Sequence, residues 1–249
     1  GKKKLRRNGH LYFEINAACG NMVVEMLEEE GYKNIELIQD LSGGFQDAYT
    51  YYTRGKVFAN AQTGNIILLG HNAMNGDFTD AFRYLAPVLA FAGGIYISEV
   101  IRGIYREYGK LHWRQIVVAL EILLLFVVGF LPQSMNMAAN ILVSFVCAMQ
   151  VEAFRKMKGS AYASTMCIGN LRSATEMLYR YRHTKEKGCL EKCLRYYGVI
   201  LVFGIGAALG SLMTSLFKER TIWISCGFLF VCFCIMFMKE DIEGEGGLD

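Results

Sequence analysis

Five apolar runs, at residues 85–105, 115–133, 135–153, 196–217 and 221–238, decide what this chain can fold into. Each holds roughly 17 to 22 residues, about what a helix needs to cross a hydrocarbon core of about 30 Å. A shorter span is predicted at 42–53. Only two prolines occur, Pro87 and Pro132, both at run edges, so the spans are predicted to be unbroken. Five of the eight cysteines (Cys147, Cys167, Cys226, Cys232, Cys234) lie in apolar or span-like sequence, where cysteine behaves as a small hydrophobe, and no disulfide framework is predicted. Cys189 and Cys193 are one helical turn apart but lack two further ligands nearby, so no metal site is predicted.

A polar-centred unit recurs among these runs. VFANAQTGN at 57–65 returns as SAYASTMCIGN at 160–170. Gln46, Gly55 and Ala59 reappear as Gln150, Gly159 and Ala163 at a constant offset of 104, and Gly64-Asn65 as Gly169-Asn170 after one inserted residue. The segments 57–70 and 161–178 hold Asn60, Gln62, Thr63 and Asn65 in one copy, and Thr165, Asn170, Arg172 and Glu176 in the other. Such sequence is too short or too polar to face lipid, and it is tolerated at membrane depth only inside protein or beside water. Both segments are predicted to be re-entrant or broken.

Charge then orients the chain. With six spans, fifteen Lys and Arg fall on one face: Arg102, Arg106, Lys110, Arg114, the ten from Arg155 to Arg195, and Lys239. Arg54, Lys56, Arg83, Lys218 and Arg220 fall on the other. The positive-inside rule makes the fifteen cytoplasmic, whereas eight full spans would divide the cations eleven to nine. Three spans per repeat is odd, so the halves face opposite ways. The predicted fold is an all-α polytopic membrane protein of two inverted three-helix repeats, 43–133 and 134–239, each with a re-entrant or broken segment, an architecture common in secondary transporters. Residues 240–249 are predicted to be an acidic disordered tail.

The candidate substrate-binding residues are Gln46, Asp47, Asn60, Gln62, Thr63, Asn65, Gln150, Glu152, Thr165 and Asn170. Helix ends and amides from opposed short segments suit an anion or a small polar solute. Bundle amides and hydroxyls also hydrogen-bond neighbouring helices without further purpose. Carboxylates differ, because a charge at mid-bilayer costs at least about 2.5 to 3.5 kcal/mol. Glu99 and Glu152 lie near Arg102 and Arg155 and are predicted to pair. Glu121 is expected to snorkel in part, leaving Asp47 as the candidate proton- or cation-coupling group.

Residues 11–43 read differently: strand-like LYFEIN, an amphipathic helix around NMVVEMLEEE, then strand-like NIELIQDL. LYFEIN, Gly20, MLEEEGY, NIEL and DLSG resemble the C-terminal tail of the PrmC/HemK release factor glutamine methyltransferases. That resemblance implies a small α/β remnant over 1–42 without the family's cofactor loop or Asn-Pro-Pro-Tyr motif. From Gly43 to 239 the chain resembles the YoaK-like family of bacterial integral membrane proteins, whose Gly-Asp-Ala and Thr-Gly-Asn segments match Gly44, Asp47 and Ala48, then Phe58, Thr63, Gly64 and Asn65. Gln150, Ala153, Phe154, Gly159 and Thr165 fall where the family's second half has its counterpart. The family has an apolar first span where this chain has polar NIELIQDLS, so the first span is expected to be incomplete.

The function expected is transport of a small polar solute or ion across the bacterial cytoplasmic membrane, without a cofactor. The alternatives are a non-transporting scaffold or sensor, and a truncated fusion without activity. An enzyme is not predicted: His10, His71, His112 and His183 are scattered, and no catalytic triad, HExxH or phosphate loop is present. The basic stretch Arg172–Arg195 suits anionic lipid rather than nucleic acid. Tyr49, Tyr51, Tyr52, Tyr179, Tyr181, Tyr196 and Tyr197 are expected at the membrane interfaces. Gly204, Gly206, Ala207, Ala208 and Gly210 suit close helix pairing, within one chain or in a homo-oligomer.

Overall fold

The computed structural model describes residues 35, 37–105, 113–154, 156–157, 160–161 and 167–245. The described residues form eight helices: α1 (37–53), α2 (Gln62–Met74), α3 (Phe78–Tyr105), α4 (Trp113–Val128), α5 (Asn136–Ala153), α6 (Cys167–Thr184), α7 (Lys187–Phe217) and α8 (Ile222–Glu245). A two-residue antiparallel ladder, Lys156–Met157 with Ser160–Ala161, follows α5. Three helical stretches are long and apolar enough to cross a membrane: Phe78–Tyr105, Gln133–Ala153 and Lys187–Met236, the last containing both α7 and α8.

The first helix corrects the sequence reading. Residues 37–41, expected as a strand ahead of an incomplete span, are its opening turns. Gln39, Ser42, Gln46 and Thr50 recur every three or four residues, so they share one helix face, and all four are completely buried. That face looks into the protein. Hydropathy judged against lipid therefore undervalues a helix whose polar stripe has protein to meet. The rest of the methyltransferase-like tail, residues 1–34, lies outside the described residues.

Helix ends follow local chemistry. Gly55, at φ +87°, closes α1 in the left-handed region, and the Lys56 amide bonds the Tyr51 carbonyl. Asp77 caps α3 through a 3.0 Å bond from the Asp80 amide to its Oδ1. Pro87, expected at a span edge, is inside α3, because that helix starts at Phe78, before the apolar run. At the end of α4 the Trp223 indole donates to the Phe126 carbonyl (3.1 Å), and its ring lies against Gly129. Helix α8 continues to Glu245, through part of the predicted disordered tail.

After α1 the chain reverses at Gly55 and runs back beside α1 until the Asn60 amide reaches the Gly43 carbonyl (3.1 Å). Helix α2 starts there and returns to the end it came from, where Arg83 of α3 donates to the Gly55 carbonyl. Helices α1 and α5 are antiparallel: Gln39 meets Gln150, Gln46 meets Cys147, and Arg54 meets Asn136. Helix α2 packs on α3, and α6 on α7.

Packing crosses between the two sequence halves. Helix α3 lies on α5, where a Cβ added at Gly94 would overlap the Phe145 carbonyl and come within 2.8 Å of Ala148 Cβ. Helix α7 lies on α1, where a Cβ at Gly206 would overlap the Leu41 carbonyl and one at Gly210 would come within 2.7 Å of the Phe45 carbonyl. Leu41 and Phe145 are related by the same offset of 104 that relates Gln46 to Gln150. The small-residue face of α7 is thus used within the chain.

Candidate functional site

A polar row runs through the otherwise apolar interior of the bundle. Gln46, fully buried on α1, donates from Nε2 to Ser42 Oγ (3.0 Å) and to Ser225 Oγ of α8 (2.8 Å), and its Oε1 accepts from Cys147 Sγ of α5 (2.8 Å). Ser42 and Ser225 share a 2.7 Å hydrogen bond. One turn from this knot, the Gln150 amide donates to the Gln39 carbonyl (3.0 Å), while Gln150 Oε1 and both side-chain polar atoms of Gln39 have no hydrogen-bond partner among the described residues. Ser144 Oγ on α5 is likewise buried and unpartnered. An unmatched buried polar atom costs about 1 to 3 kcal/mol, so this row is expensive as mere packing.

Asp47 faces the returning segment. Its Oδ1 accepts the amides of Ala59 (2.8 Å) and Asn60 (2.7 Å), which holds the extended stretch against α1. Asn65 clamps the same stretch, accepting from the Phe58 amide and donating to the Phe58 carbonyl (2.7 Å) and Gln62 Oε1 (2.8 Å). Gln62 donates in turn to the Ala59 carbonyl (2.6 Å). Thr63 is exposed at the outer side of this turn. Asn170 is buried at the fourth position of α6, the register that Asn65 has in α2. Cys167, at the start of α6, lies close enough to Asp40 and Asp47 to interact with them electrostatically. Glu152 is buried near the end of α5. Thr165 lies outside the described residues.

The structure therefore gathers Gln46, Asp47, Asn60, Gln62 and Asn65 around one return of the chain. Because α1 and α5 are antiparallel, Gln46 faces Cys147, and Gln150 faces Gln39. Ser42, Gln39, Cys147 and Ser225 were not singled out in the sequence. Three of them share the period of Gln46 or Gln150 along their helices, which is the signal that could have found them. Glu121 also differs from expectation: it has no exposed surface, because α4 turns this side toward α5 and α8. Glu99 pairs with Arg102 at 3.0 Å as its spacing implied. Tyr49, expected at an interface, is buried, donating to the Glu219 carbonyl (3.0 Å) and accepting from Arg54 Nε (2.8 Å).

Arg54 locks this end of the bundle. Fully buried, it also reaches the carbonyls of Val128 (3.1 Å) and Pro132 (3.3 Å) and Asn136 Oδ1 (3.2 Å). These carbonyls lie at and beyond the C-terminal end of α4, where a cation is favoured. Beside it in the connection from α7 to α8, Glu219 is held below the usual glutamate range by its own backbone amide and by the Gln133 side chain (2.7 Å).

Outside, the order is reversed. Leu123, Leu201 and Leu212 are more than half exposed, while Gln39, Gln46 and Gln150 are fully buried. An apolar exterior around an interior that carries a buried polar row marks a helical membrane protein, since a soluble fold would pay to expose these leucines. The chain belongs to the family described as "Protein of unknown function (DUF1275)", whose sequence model matches residues 37–235 and so includes nearly all of α1. The "UPF0700 transmembrane protein YoaK" of Bacillus subtilis (strain 168) is 27% identical over 218 residues, covering 82% of this chain and 93% of its own length. No solved structure matches the chain.

Proposed function

We propose that this protein is a multi-pass transporter of the bacterial cytoplasmic membrane that moves a small polar solute or ion through the interior between α1 and α5. One observation carries the reading: α1 and α5, equivalent by the 104-residue offset, run antiparallel with their polar faces together, and the chain after α1 returns to mid-bundle before α2 leaves. Equivalent helices running oppositely are what inverted repeats require. The matching crossings at Gly94 and Gly206 support the same relation. Gln46, Gln150, Asn60 and Asn170 supply amides at the centre. Asp47, Gln62 and Asn65 hold the returning segment, with Thr63, Thr165 and Glu152 completing the candidate set. The cation-rich connections, including Arg172–Arg195 near anionic lipid, face the cytoplasm.

Two measurements test this. Single cysteines at Asn75, Ser134 and Lys187 on a cysteine-free background should label from outside intact cells at the first two positions and not at the third. External labelling at Lys187 would remove the inverted arrangement. In proteoliposomes, a panel of small neutral and charged solutes should include one whose uptake is accelerated by the protein and lost in Gln46→Leu. Uptake of every solute at the rate of protein-free liposomes would remove transport.

A further inference from the structure

One fully buried carboxylate is not part of that candidate set. Glu121 lies mid-way along α4 with no exposed surface, and neither of its carboxyl oxygens has a hydrogen-bond partner among the described residues. Helix α4 packs on α3, α5 and α8. Among the described residues, the titratable groups close enough to interact with Glu121 are two thiols, Cys147 of α5 and Cys232 of α8. Asp47 of α1 is also within reach of Cys147. From α3, Arg102 stacks on Trp113, and on α4 itself Arg114 bonds the Ala153 carbonyl (2.8 Å). Both of those α4 positions are seven or more residues from Glu121, about 10 Å along the axis. Among the described residues no Lys, Arg or His compensates it.

As packing, this arrangement has no advantage. An ionised carboxylate there lacks any donor, a protonated one leaves its hydroxyl unmatched, and an apolar side chain of similar volume would avoid both costs. A carboxylate kept at such a cost inside a membrane has a task, and binding a cation is the task its chemistry allows. A metal cation has less to recommend it: hard cations take about six oxygen ligands, and among the described residues no group of three or more His, Cys, Asp or Glu side chains could hold a metal ion. A proton needs only the carboxylate itself.

We propose that Glu121 is a proton carrier: its carboxylate takes a proton from water on one side of the membrane, forming the acid, and releases it to water on the other side as the two halves rearrange. Cys147 connects it to the solute row, lying near Glu121 and donating to Gln46. Protonation at Glu121 thereby senses the occupancy of the Gln46 knot, coupling solute movement to the proton gradient. This rests on the transport reading, and the task assigned to the carboxylate is separate from that of Asp47, whose Oδ1 is engaged by two amides.

The test is infrared difference spectroscopy of the full chain in lipid, taken from about pH 4 to about pH 10, a window covering both forms of ordinary and displaced carboxyls. The expected result is a protonated-carboxyl band that titrates, shifts in heavy water, disappears in Glu121→Gln and is displaced in Glu121→Asp. A band that is present but does not respond to pH would show a fixed structural acid and overturn the proposal. So would a titrating band that both variants leave unchanged. Should Glu121→Gln fail to fold, the Glu121→Asp displacement decides alone. The readout requires no solute. Its failure removes the proton site and leaves transport standing, whereas external labelling at Lys187 removes the inverted arrangement and leaves a titrating Glu121 band in place.

Discussion

The crossing of α7 on α1 makes a sharp quantitative demand. A Cβ at Gly206 would overlap the Leu41 carbonyl and lie 2.9 Å and 3.1 Å from the Leu41 carbonyl carbon and Cα, whereas a Cβ at Gly204, on the same helix, would meet nothing within 4 Å. Alanine at either position gains the same helix propensity, about 1 kcal/mol over glycine. The difference between the two variants is therefore the crowding alone. Overpacking against atoms that cannot rotate away costs about 1 to 3 kcal/mol, so Gly206→Ala should be less stable than Gly204→Ala by that amount. The equivalent pair on α3 is Gly94→Ala, which meets Ala148 Cβ at 2.8 Å, and Gly103→Ala, which meets nothing. It should show a similar gap. Reversible unfolding in mixed detergent micelles, followed by the fluorescence of Trp113 and Trp223, measures both. Gaps below about 0.5 kcal/mol in both pairs, the ordinary scatter for surface changes, would refute the close crossings. A gap in only one pair would refute the equivalence of the two halves.

Asn65→Ala removes three hydrogen bonds to Phe58 and Gln62, and should cost about 1 to 3 kcal/mol while raising amide hydrogen exchange over 57–61. Arg54→Met strands the Val128 and Pro132 carbonyls and the Asn136 amide oxygen, and should lower unfolding stability by about 3 kcal/mol. Lysine at the same position should not restore it, because one ammonium cannot reach partners spread across the guanidinium fork. Arg180→Ala breaks an exposed pair with Glu176 and should change stability by no more than about 0.5 kcal/mol. A larger loss would show that the outer end of α6 is held by more than its own turn.

The apolar runs revealed α3, α5, α7 and α8 because lipid-facing residues such as Leu201 and Leu212 have no alternative environment. The span predicted at 42–53 falls within α1, but the opening turns of that helix were hidden for the opposite reason. Gln39 continues the polar face of Ser42, Gln46 and Thr50, and a scale that treats every polar residue as water-facing reads such a face as evidence against a span. The predicted repeat made Gln46 and Gln150 visible as a pair, yet spacing alone did not reveal that antiparallel packing puts Cys147 opposite Gln46 and Gln39 opposite Gln150. Glu121 was placed near a membrane edge because sequence gives depth along α4 but not which side of the helix its neighbours cover. Thr63 and Asn65 are two residues apart and equally polar, and the fold buries only Asn65.

The predicted repeat boundary near residue 133 is not a packing boundary, and this bears on the transport mechanism proposed above. Helix α3 of the first half lies on α5 of the second, and α7 of the second lies on α1 of the first, both through glycines that bring backbones together. Rearrangement therefore cannot be a simple separation of the halves, which would break both of these close crossings. Movement is easier where the polar row is under-satisfied, at Gln39, Ser144 and Gln150, since those atoms have partners to gain. A disulfide across the α1–α7 crossing should therefore leave solute uptake intact. One joining α1 to α5 beside Gln39 and Gln150 should abolish it, and equal inhibition by both would refute this division between rigid and moving contacts.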